Sequence, residues 1–126
     1  MLISRRTFIA SSAAILGAPH IASAETPFVV EMLNKHPEDR KRRMIFTPRV
    51  AVIEQGETAL FKATDKGHNS ASVDGMIPEG AEPWKGALSK DIEVTFTVPG
   101  VYGYVCSPHI PLGMVGAVVV LSLIHN

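Results

Sequence analysis

The chain has a single cysteine, Cys106, in the run Tyr104-Val105-Cys106-Ser107-Pro108-His109-Ile110-Pro111-Leu112-Gly113-Met114. It stands three residues before a histidine and eight before a methionine, and another histidine, His68, lies 38 positions upstream. If these four side chains act together, the fold must press a compact loop against a residue far earlier in the chain. Greek-key sandwiches do this, because their connecting loops gather at the two ends of the sheets and bring distant residues together there.

The rest of the chain is consistent with such an architecture. Apolar runs at Phe28–Leu33, Met44–Phe46 and Val50–Ile53 read as short strands, and Pro48 demands an edge or a bend between the second and third. Between Thr58 and Ala63 the residues alternate in type. The clearest strand is Asp91–Val98, with Ile92, Val94, Phe96 and Val98 on one side. Pro99-Gly100 turns the chain into Val101–Cys106, and Met114–Leu121 is a nearly continuous apolar run that suits burial on both faces. Residues 65–90 are rich in Gly, Pro, Asp and Ser and read as irregular, with one helical turn near Trp84. The expected fold is therefore all-β, a Greek-key β-sandwich, with the cysteine-to-methionine segment joining its last two strands.

Residues 1–24 read as an export signal. Arg5 and Arg6 precede an apolar stretch from Phe8 to Ala18, and Ala22-Ser23-Ala24 supplies a cleavage site. That stretch is too short for the roughly 20 residues that span a bilayer. Ser4-Arg5-Arg6-Thr7-Phe8-Ile9 is similar to a twin-arginine signal, with the general secretory route as the alternative. Cleavage leaves one domain, residues 25–126, with ten basic against twelve acidic residues. That balance lacks the large basic excess of a nucleic-acid binder. The expected location is the periplasm, without membrane insertion, and the expected state is a monomer.

A lone cysteine in an exported chain has no internal disulfide partner, so it is either buried and inert or bound to metal. Two imidazoles, a thiolate and a thioether form the donor set of a blue-copper electron-transfer site. On that reading His68, Cys106 and His109 lie in the ligand plane and Met114 is the axial sulfur. Zinc is the chemical rival, although its sites rarely use methionine and its structural sites favour several cysteines. A catalytic cysteine–histidine pair usually draws its partners from separate elements. Pro108 stiffens the ligand loop and Gly113 permits a tight bend. Asn69 either ties His68's segment to that loop or is an ordinary turn residue. His20, His36 and His125 read as solvated, and Met32, Met44 and Met76 as packing residues.

The chain resembles the cupredoxins, and among them the pseudoazurin branch. The resemblance is carried by Met32-Leu33-Asn34-Lys35, Thr64-Asp65-Lys66-Gly67-His68-Asn69, Gly75–Glu82, Val94–Gly103, Cys106-Ser107-Pro108-His109 and Gly113-Met114-Val115-Gly116. It implies a periplasmic electron carrier with one type 1 copper ion, not an enzyme. Its partner would be a redox enzyme or a cytochrome, with copper nitrite reductase one such enzyme. It also implies an exposed apolar patch of Ile110, Pro111 and Leu112 around His109, and a basic ring drawn from Lys35, Lys66 and Lys85. There are departures. That branch usually carries two C-terminal helices, which the fold expected here lacks; Val105 stands where a lysine often precedes the cysteine, and Arg40-Lys41-Arg42-Arg43 adds charge to a longer loop.

Overall fold

A computed structural model describes residues 26–123. The expected export signal, residues 1–24, and His20 and His125 lie outside the described residues. Eight strands follow one another: β1 (Phe28–Lys35), β2 (Arg43–Thr47), β3 (Val50–Glu54), β4 (Thr58–Lys62), β5 (Ala71–Ser72), β6 (Ile92–Thr95), β7 (Gly100–Val105) and β8 (Val115–Leu121). They form two four-stranded sheets, ordered β2-β1-β4-β6 and β3-β8-β7-β5. Both are mixed: β1 runs parallel to β4 and β3 parallel to β8, while the other pairs are antiparallel. The expected all-β sandwich is the observed one.

The core lies between the sheets and is unusually aromatic in its centre. Phe61 stacks on Trp84 with ring centroids 5.8 Å apart, and Tyr104 meets Phe46 and Phe61 edge-on at 4.7 and 4.9 Å. Such pairs add about 0.5–1.5 kcal/mol each beyond the area they bury. Val30 and Met32 of β1, Ala51 and Ile53 of β3, and Val118 and Val120 of β8 fill the remaining space. These positions are two apart in each strand, as the period of the pleat requires.

Pro48 falls where the chain leaves β2, an edge of one sheet, for β3, an edge of the other. A residue without a backbone N–H belongs at such a place. Three expectations need correction. β1 runs on through Asn34 to Lys35, because Lys35 pairs with Arg43 of β2. No helical turn forms near Trp84; instead its backbone C=O accepts from Ser72 N–H at 2.9 Å and its N–H donates to Ser72 Oγ at 2.9 Å. Those bonds use the groups a helix would need, and Trp84 is drawn into the core. Finally, β8 is buried on one face only. On its outer side Val119 is half-buried and Leu121 exposed, beside exposed Val50, Val52 and Val101. Among the described residues no helix covers that face, and none is long and apolar enough to cross a membrane.

Candidate metal centre

His68 lies between β4 and β5, and Cys106 follows directly on β7. The segment Ser107–Leu112 is a kinked 3₁₀ turn between β7 and β8. His109 sits at the kink, with φ −119° and ψ 20°. Its N–H donates to Cys106 C=O at 3.0 Å, and Cys106 N–H donates to Met114 C=O at 3.0 Å. The loop therefore closes on itself and holds cysteine, histidine and methionine on one short circuit of backbone. Gly113 allows the closure: its φ of +80° is left-handed, a conformation that glycine adopts without steric cost.

Cys106 Sγ lies 3.7 Å from His68 Nδ1 and 3.3 Å from His109 Nδ1. The three donor atoms all fall within 4.8 Å of one another. Two ligands bound to one ion, at about 2.3 Å for sulfur and about 2.0 Å for nitrogen, are roughly 3.5–3.7 Å apart at tetrahedral-to-trigonal angles. The observed separations suit a shared ion. Cys106, His68 and Met114 are fully buried, and His109 is half-buried. Met114 is tied to Cys106 by that backbone bond, and its side chain is fully buried.

Side chains around the cluster set its orientation. Asn34 Oδ1 is 2.8 Å from His68 Nε2, which makes Nε2 the protonated nitrogen and leaves Nδ1 free to face the sulfur. Asn34 is itself held: its N–H donates to Asp65 Oδ2 at 2.8 Å. Of the two readings left open for Asn69, the structure shows the tie between the two segments. Its Oδ1 accepts from Ser107 N–H at 2.7 Å, and its Nδ2 donates to Ser107 Oγ at 3.2 Å and to Gly86 C=O at 3.1 Å. Asn34 escaped the sequence reading as a site residue, because an asparagine at a strand end looks like a turn former. Its place in Met32-Leu33-Asn34-Lys35 was the available signal.

Electrostatics favour a neutral, loadable cluster. Burial, followed by the neighbouring His109, pushes His68 below the ordinary histidine value, while Asp65 opposes the shift. Burial raises the Cys106 thiol, and the backbone N–H groups of Asn69 and His109 work against that rise. Those two N–H dipoles are already aimed at the charge a thiolate would carry. His36 is not a ligand; its Nδ1 accepts from the N–H groups of Glu38 and Asp39 at 3.0 and 3.2 Å, which shapes the loop before β2.

Comparison with known proteins agrees with the geometry. Residues 31–121 match the family model described as copper binding proteins, plastocyanin/azurin family. A pseudoazurin of Methylorubrum extorquens is 38% identical over 120 residues, covering 95% of this chain and 79% of that protein. One from Paracoccus pantotrophus is 38% identical over 111 residues, covering 86% and 72%. The solved structure of a Sinorhizobium pseudoazurin superposes with a TM-score of 0.71 at 51% identity, over 75% of this chain and 72% of that one. A buried thiol with two converging imidazoles and a methionine beside it is a donor set suited to one type 1 copper ion. The chain belongs to the copper-binding family of plastocyanin and azurin.

Proposed function

We propose that this protein is a periplasmic blue-copper electron carrier in which His68, Cys106 and His109 would hold the copper and Met114 would supply a weaker sulfur donor. The observation that carries the reading is the convergence of Sγ and two imidazoles within 4.8 Å. Copper supplies a one-electron couple at this position. The protein's own part is to keep the donors in place. Asn34 fixes the ring of His68, Asn69 clamps Ser107 next to the thiol, and the circuit from Cys106 to Met114 limits movement of the loop. A site that cannot rearrange lowers the cost of changing valence. Loading must expel the thiol proton, so uptake is coupled to pH.

The half-buried His109 is the outlet for the electron. Ile110 and Leu112 are 51% and 63% exposed and surround it with apolar surface that excludes water when a partner docks. The partner is a periplasmic redox enzyme or a cytochrome, and copper nitrite reductase is the first enzyme to assay. Export rests on the signal-like residues 1–24, which leave residues 25–126 as the mature domain, acting as a monomer. The test is repeated chemical reduction and oxidation of the copper-loaded protein in the presence of a Cu(I) chelator. A carrier keeps its copper through the cycles. Surrender of the metal on the first reduction would identify a copper-delivery protein instead.

A further inference from the structure

Six of the ten basic residues after the signal-like segment fall between Lys35 and Arg49, against two acidic residues, Glu38 and Asp39. Elsewhere in residues 26–123, four basic residues face nine acidic ones. The charge is thus concentrated at one flank of a chain whose formal net charge is zero. Among the described residues, none of the side chains of Arg40, Lys41, Arg42, Arg43 and Arg49 forms an ion pair or a hydrogen bond. Lys35 and Arg43 even stand directly opposite each other in the β1–β2 ladder, an arrangement of like charges that costs stability. Nothing within the described fold offsets that cost.

Three of these arginines, Arg42, Arg43 and Arg49, surround a groove of about 190 Å³. Buried Phe46 also lines it, and Leu112 and Gly113 of the metal-site loop form its other wall. The groove therefore lies between three exposed arginines and Leu112, which belongs to the apolar patch beside His109. We propose that it receives an acidic, partly apolar surface segment of the redox partner, and so fixes the partner's orientation on the loop that carries the electron. The inference rests on the electron-carrier reading above. Two features favour a protein surface over a small oxyanion. The three arginines are exposed, so each contributes little alone and several contacts must act together. The groove is lined by apolar side chains as well as charge, which suits carboxylates flanked by apolar residues. Arginine also pairs with carboxylates in a bidentate way that lysine cannot match.

The test is chemical-shift mapping of isotope-labelled Cu(I) protein titrated with poly-L-glutamate at low salt. The expected shifts centre on Arg42, Arg43, Arg49, Leu112 and Gly113. The R42E/R43E variant should bind about tenfold more weakly, with the difference shrinking as salt is raised, whereas K62E/K90E should bind as before. Shifts centred on Lys66 and Lys85, unaffected by R42E/R43E, would overturn the proposal. So would the same shifts produced by inorganic phosphate at equal charge, which would mark a simple ion site. Visible absorption and reversible reduction of the same samples report the copper site separately. Loss of those properties would sink the carrier reading, while failure of the groove with colour intact would sink the docking proposal alone.

Discussion

Asn69→Ala is the substitution that best probes how the loop is held. It removes three hydrogen bonds: from Ser107 N–H at 2.7 Å, to Ser107 Oγ at 3.2 Å and to Gly86 C=O at 3.1 Å. Ser107 is exposed, so its N–H and hydroxyl can turn to water, and losing those bonds costs about 1 kcal/mol. Gly86 is buried, and leaving its carbonyl without a partner adds about 1–3 kcal/mol. The total is about 2–4 kcal/mol, which in a domain of this size lowers Tm by roughly 10–25 °C. Urea unfolding of the metal-free protein, followed by fluorescence of its one tryptophan, Trp84, measures the loss. Ser107→Ala, which removes only the longest of the three bonds, should cost less than about 1 kcal/mol. With copper bound, Asn69→Ala should also weaken the visible absorption, because Ser107 adjoins the thiolate. A stability loss below about 0.5 kcal/mol with an unchanged spectrum would refute the clamp.

Met114→Leu should retain copper and shift its reduction potential, measured by voltammetry, if Met114 has the proposed role of a weak sulfur donor that tunes more than it holds; complete loss of binding would contradict that role. Gly116→Ala should destabilise by about 1–3 kcal/mol, because a Cβ there would come within 2.5 Å of the Tyr104 ring and 2.8 Å of the Arg49 carbonyl. Tyr104→Phe removes a buried hydroxyl that has no hydrogen-bond partner among the described residues, so its stability should change by less than about 1 kcal/mol in urea. For the metal-free protein, His68 sits below its ordinary value of 6.5 and Cys106 above 9.0. A depressed histidine leaves stability full above pH 6.5 and loses it as pH falls toward the folded value. A raised thiol leaves it full below pH 9.0 and loses it as pH rises through the folded value. Urea midpoints should therefore decline on both sides of that window, and His68→Gln should flatten the acid side.

What could be read from the residues was whatever depends on local period and spacing. Ile92, Val94 and Phe96 alternate with polar neighbours, and that alternation is the observed facing of β6 and the residues after it. Cys106, His109 and Met114 lie so close in sequence that one tight turn must gather them, and Gly113 supplies the bend. His68 could be added because a sandwich brings its loops to one end. What stayed hidden depends on register between distant segments. Asn34 reaches His68 because β1 lies parallel to β4, a pairing no local pattern reveals. The setting of Trp84 is hidden for the same reason, since Ser72 takes its backbone bonds. Apolar residues on the outer face of β8 suggest burial, but burial depends on what packs there. The arginine groove needs Arg43, Arg49 and Leu112 together, and only the folded sheets bring them into contact with one space.

Whether Cys106 and the two histidines grip one copper ion is legible in the visible spectrum. Absorption spectroscopy of the Cu(II)-loaded protein and of Cys106→Ser tests it most directly. An intense visible sulfur-to-copper charge-transfer band is expected in the first and none in the second. A serine variant that kept the colour, or a native protein that bound Cu(II) without it, would contradict the assignment.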